Sequence, residues 1–359
     1  MNKVNLASLF LFLLLIVGLC LALMPTSAKA THYIPGDEEI GTWDLTNTTY
    51  TLTQNVTEGI EIYADNFTLD GDGYTVTGDG WGTGVYLDER TDVTIKNLTV
   101  ENFNTGIDLW NSTGNKLVDN TASNNSHTGI CLVVSSYNIL KGNTASYNIV
   151  YGIYLASSDN NTLQDNTVSE NWMYGIVLDS STTNTLTGNT ASESGVYGIY
   201  LDFSTTNKLI GNTVSKNSFG ISLESSAGNT IYNNYFNNTS NFYFDGNIYF
   251  NTWNTTKELG TNIVGGPNLG GNFWAKPDDT GFSQTTADTD GDGFCDEEYK
   301  LDSEENNVDN LPLALPRPQV VNVTLNPPSP VKAGSATFTI TFSQDMNTGI
   351  SPTVTFGRT

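Results

Sequence analysis

The stretch Gly152-Ile-Tyr-Leu-Ala-Ser-Ser-Asp-Asn-Asn-Thr-Leu-Gln-Asp-Asn-Thr-Val-Ser-Glu-Asn-Trp-Met-Tyr174 decides the fold, because the chain writes it out again and again. Its first phrase, Gly-Ile-x-Leu, starts at Gly106, Gly129, Gly152, Gly175, Gly198 and Gly220, with a Gly-Val-Tyr-Leu variant at Gly84. A second phrase, Asn-x-Leu or Asn-x-Ile, starts at Asn115, Asn138, Asn161, Asn184, Asn207 and Asn229. A third, Asn-Thr-x-Ser, starts at Asn120, Asn143, Asn166, Asn189 and Asn212. A fixed period of 22 to 23 residues carrying three short β-type phrases predicts a parallel β-helix, with one unit per coil.

Side chains alternate along a strand, so Ile153 and Leu155 are expected to point inward and Tyr154 outward. Leu163 and Val168 supply the inward residues of the other two faces. Equivalent residues then stack coil on coil at about 4.8 Å, and about eight coils make a rod of about 40 Å. The Asn columns that start at Asn115 and Asn120 are expected to form amide ladders at the turns, satisfying backbone groups of the next coil.

Outside the repeat, Lys3, an apolar run from Leu9 to Met24 and Ala28-Lys29-Ala30 read as a secretory leader over residues 1–30. No second apolar run of membrane length follows, so no membrane insertion is expected after cleavage. Residues 31–105 read as an N-terminal cap and irregular first coils, 106–250 as regular coils, and 251–315 as a C-terminal cap. Leu315-Pro-Arg-Pro318 reads as a linker. The alternating segments Val320–Leu325, Ala336–Phe342 and Thr353–Phe356 read as the start of an Ig-like β-sandwich, incomplete within residues 316–359.

Formal charge is −24, from 14 Lys and Arg against 38 Asp and Glu, and the leader holds two lysines and no acid. Such a chain repels nucleic acid and anionic surfaces. Beyond the leader only Cys131 and Cys295 remain, far apart, so stacking rather than disulfides must stabilise the rod. Asn-x-Ser/Thr sequons, Asn66, Asn124 and Asn237 among them, are possible glycan acceptors in an exported chain.

Three constellations bear on chemistry. The first is Asp288-x-Asp290-x-Asp292-Gly293-x-x-Asp296. Alternating carboxylates on a tight Gly-containing loop supply the hard oxygens that Ca2+ takes. Tyr299 stands where a bidentate Glu would close an EF-hand loop, so Glu298 or Asp309 is expected to complete the shell of a structural calcium. The second is an outward acidic run, Asp179, Asp202 and Glu224, each following a coil's Leu. Carboxyls about 5 Å apart suit a retaining glycosidase or a calcium-assisted lyase. A solvated polar stripe is the plainer reading, and the nearest bases in sequence are Lys208 and Lys216. The third is an aromatic column of Tyr151, Tyr174, Tyr197 and Phe219, with Tyr154 and Tyr200 two residues beyond their glycines. Its rings can hold a polysaccharide or stack on one another, and the two are compatible.

Several phrases resemble those of the NosD-like right-handed β-helix family. They are Asn66-Phe-Thr-Leu-Asp-Gly71, Val93-Thr-Ile-Lys-Asn97, the repeated coils, Gly271-Asn-Phe-Trp274, Asp288-Thr-Asp-Gly-Asp-Gly293 and Asp309-Asn-Leu-Pro312. The coil pattern is shared with carbohydrate-binding and sugar-hydrolase domains. The resemblance implies the fold, and the family name implies copper delivery to a periplasmic reductase. The soft donors beyond the leader, His32, His127, Met173, Met346, Cys131 and Cys295, do not cluster in sequence, which argues against that role here. The expected function is therefore an exported or cell-surface β-helix module for glycan binding, adhesion or structure. Polysaccharide cleavage on an outer face is the alternative.

Overall fold

A computed structural model describes residues 32–46, 48–303, 307–316, 320–326 and 337–342. The expected leader lies outside the described residues. So does the sandwich segment, apart from an antiparallel hairpin of Val320–Asn326 with Thr337–Phe342.

Each repeat contributes one strand to each of three sheets, and the chain is a parallel β-helix. The first sheet has ten parallel strands, from His32–Ile34 to Ser240–Asp245. The second also has ten, opening with Gly41–Asp44 antiparallel to Thr49–Leu52 and ending at Thr230–Tyr232. The third has nine, from Thr75–Thr77 to Tyr235–Asn237 and then Phe273–Ala275, which the cap supplies.

Register is strict because each sheet buries one face. Ile107, Ile130, Ile153, Ile176, Ile199 and Ile221 stack directly, as do Leu109 through Leu223 two residues on. All are at most 1% exposed. A one-residue slip would turn this whole set out to water. The repeated glycine has a packing reason. A Cβ on Gly152 would meet Asn171 Nδ2 at 2.7 Å and the Gly175 carbonyl oxygen at 2.9 Å.

Both expected amide ladders are present. Asn115 donates its backbone N–H and its Nδ2 to Asn138 Oδ1 at 2.8 and 3.1 Å, and Asn138 repeats this onto Asn161. A third ladder, Asn125–Asn148–Asn171, runs five residues after the second and resumes at Asn217. Ser194 interrupts it. The cap closes the first two ladders. Asn251 donates to Asn307 Oδ1, and the Asn272 N–H donates to the Asp309 carboxylate. Trp253 and Trp274 seal the end of the core, both fully buried, with Trp274 stacked on Phe236 at 4.8 Å.

Candidate ligand-binding face

The outward positions of the first sheet form three columns, all set by the strand alternation that buries Ile and Leu. The acidic run is real and one member longer than expected. Asp179 is in register with Asp202, Asp202 with Glu224, and Glu224 with Asp245. Asp245 follows Phe244 of Ser240–Asp245, a strand without Gly-Ile-x-Leu, which hid it from the repeat pattern.

The tyrosines pack beside this column and largely against one another. Ring centroids are 4.7 Å apart for Tyr151–Tyr154, 5.4 Å for Tyr151–Tyr174, 5.6 Å for Tyr174–Tyr197 and 5.1 Å for Tyr197–Tyr200. Phe219 and Tyr243 continue the ribbon. Tyr174 is only 5% exposed. Ring faces are therefore mostly spent within the ribbon. Two hydroxyls serve the acids: Tyr154 donates to Asp179 Oδ2 at 2.9 Å, and Tyr200 donates to Glu224. Burial, reinforced by the neighbouring carboxylates, raises the Tyr154 and Tyr200 hydroxyls far above the ordinary tyrosine value.

Asp202 has no such donor. Its Oδ1 is buried without a hydrogen-bond partner. Burial first, then repulsion from Glu224, Asp179 and Asp245, pushes its carboxyl up to about 7. Lys208 and Lys216 do not serve this face. Lys208 sits exposed on the second sheet, and Lys216 pairs with Glu193 at 2.8 Å. Among the described residues no ion pair reaches the four acids.

The Asp-rich loop lies in the cap. Carboxylate oxygens of Asp288, Asp290 and Asp296 converge within 4.8 Å. Asp292 is turned to Lys257 at 2.7 Å, and Glu298 stands 3.5 Å from Lys300. Asp309 is spent inside the cap, accepting from Trp274 Nε1 at 2.9 Å and from the N–H groups of Asn272 and Leu311. It is therefore unavailable to complete a metal shell.

The soft donors do not form a copper centre among the described residues. His32 is bound to Asp37 at 2.7 Å, and His127 to Thr128 Oγ1 at 2.8 Å, its ring 5.5 Å from Tyr151. Met173 packs into the tyrosine cluster. Cys131 lies beside Asp108, where burial holds its thiol well above the ordinary value, and Cys295 is buried in the cap. The only convergent group of three His, Cys, Asp or Glu among the described residues is the oxygen-only set in the cap.

A solenoid whose coils each add a strand to three stacked sheets places the chain in the class of parallel β-helix proteins. The chain belongs to the family described as periplasmic copper-binding protein (NosD), which matches residues 46–279. No curated protein sequence matches it. Among solved structures, a double mutant of the periplasmic alginate epimerase AlgG is 20% identical with a TM-score of 0.43, over 55% of this chain and 50% of that one. The Azotobacter vinelandii mannuronan C-5 epimerase AlgE4 A-module is 18% identical with a TM-score of 0.40, over 52% and 54%. The Dettilon tailspike protein is 16% identical with a TM-score of 0.41, over 56% and 50%. The matches thus span about half the length of those chains.

Proposed function

We propose that this chain is an exported, non-enzymatic β-helix module that holds a polysaccharide along the outer face of its first sheet. The observation that carries this reading is the in-register column Asp179–Asp202–Glu224–Asp245, backed by the tyrosine ribbon. Carboxylates spaced at about 4.8 Å accept hydrogen bonds from successive sugar hydroxyls. The Tyr154 and Tyr200 hydroxyls hold Asp179 and Glu224 in place, so less ordering entropy is lost on binding. The acidic face disfavours anionic polymers and favours uncharged ones. Export is supported by the leader-like start of the chain and by the family's periplasmic description. A structural calcium on Asp288, Asp290 and Asp296 is part of the proposal, tying the loop that leads into the ladder-closing segment.

One observation favours a second reading, glycoside hydrolysis. Asp202 is pushed up to about 7 while Glu224 stands one strand away. A carboxyl that keeps its proton up to about pH 7 can serve as general acid, with the carboxyl one strand away as nucleophile. A panel of neutral and acidic polysaccharides separates the two readings. Binding without new reducing ends supports the module. New reducing ends, abolished by both Asp202→Asn and Glu224→Gln, support the hydrolase. Absence of binding and of products throughout the panel removes both.

A further inference from the structure

A cleft of about 510 Å³ opens on the turns that lead from the third sheet into the first, far from the acidic column in sequence. A step in side-chain size creates it. The coil carrying Asn124, Asn125 and Ser126 is lined by small groups, whereas the next coil presents Tyr147 and Ile149. The opposite wall is the loop Gly78–Gly80, latched down where Ser126 Oγ donates to the Gly80 carbonyl at 2.8 Å.

Apart from Asp79 the lining is uncharged, with Asn102, Asn124, Asn125 and Ser126 beside Tyr147 and Ile149, and it holds no Lys, Arg or His. Asn102 and Asn124 make no side-chain hydrogen bond among the described residues. Both are exposed and sit at left-handed φ, 58° and 59°, a conformation that Asn tolerates well, so their amides are open to a ligand. Tyr147 lines the cleft, and two further exposed rings stand beside or one coil beyond lining residues. Trp81, next to Gly80, is 77% exposed, Tyr147 is 53% exposed, and Trp172, one coil beyond Ile149, is 72% exposed. Unlike the ribbon on the first sheet, these aromatics are open to solvent.

We propose that this cleft is a second sugar subsite, taking one or two residues of an uncharged glycan. Amides and hydroxyls on the floor exchange hydrogen bonds with sugar hydroxyls, and open ring faces cover the apolar C–H surface. The absence of any cation in the lining disfavours uronates and sulfated sugars. The proposal rests on the glycan-binding reading above but locates a short ligand away from the carboxylates.

The test is calorimetric titration of the full chain with neutral gluco-, manno- and galacto-disaccharides, with a diuronate as the anionic control. Trp81→Ala removes the exposed ring next to Gly80. Asn124→Tyr fills the floor, and Tyr147 shows that the same turn position accepts tyrosine at φ 59°. The expected result is binding of a neutral disaccharide that weakens at least tenfold in both variants, at unchanged melting temperature, and persists in Glu224→Gln. Three results overturn the subsite while leaving the first-sheet reading standing. They are a disaccharide that binds both variants normally, a chain that binds only long polymers, and an exported protein carrying its own glycan on Asn124. Failure of every sugar, short or long, overturns both.

Discussion

Asp202 and Glu224 face each other in register across neighbouring strands, yet only Glu224 receives a tyrosine hydroxyl, from Tyr200. This asymmetry separates two adjacent carboxyls chemically. It makes Asp202, with its buried, unpartnered oxygen, the strained member of the column.

The strain has a pH signature. The folded value of Asp202, about 7, lies above its ordinary 3.8. Below 3.8 both folded and unfolded chains hold the proton. As pH climbs through about 7 the native state must give it up, and the stability that came from holding it is lost. Asp202→Asn should therefore match the parent near pH 4 and melt at a higher temperature than the parent at pH 8. A melting difference that does not change with pH would remove the argument.

The amide ladders predict a large penalty at Asn161. Its Oδ1 accepts from the N–H and Nδ2 of Asn138, and its Nδ2 donates to the Ser135 carbonyl at 3.0 Å. Asn161→Leu orphans these buried groups and should cost about 3–5 kcal/mol in chemical denaturation. Unchanged stability would mean that the ladder contributes nothing.

Ser194 predicts a gain. The hydroxyl is buried with no partner, and the Asn171 Nδ2 donates only to the Ala145 carbonyl where its counterparts also reach the next coil. The same ladder position takes Asn in the coils on either side, so Ser194→Asn should restore the missing bonds and add about 1 kcal/mol. A loss of stability would show that the interruption is required by packing.

Calcium binding predicts graded effects across the loop. Calcium should raise the melting temperature and a chelator should lower it, by about 2.7 kcal/mol of stability at a hundredfold excess over Kd. Asp288→Asn with Asp290→Asn should abolish the response. Asp292→Asn should weaken it less, because that carboxylate is paired with Lys257. Indifference of the parent chain to both calcium and chelator would eliminate the site.

Much of this architecture was legible in the chain because each coil repeats its neighbour. Ile153 and Leu163 read as core and Asn161 as a ladder residue, since position within the period sets direction. The third ladder was equally legible, five residues after Asn120, Asn143 and Asn166, but Ser194 breaks its run. Less visible were relationships between columns. Tyr154 and Asp179 are 25 residues apart and meet only because adjacent strands bring a hydroxyl over a carboxylate two positions along. The mutual burial of Tyr151, Tyr174 and Tyr197 depends on ring orientation, which periodicity does not encode. Asp309, one of two residues expected to complete the metal shell, ends a ladder instead, and only the path of the cap shows this.

The most direct test of the central claim is calorimetric titration of neutral polysaccharides into the parent chain and into the double variant Asp202→Asn, Glu224→Gln, with reducing ends assayed in the same samples. The account predicts binding by the parent, at least tenfold weaker binding by the variant, and no new reducing ends in either. A parent chain that binds no neutral polysaccharide, or one whose affinity survives loss of both carboxylates, would contradict it.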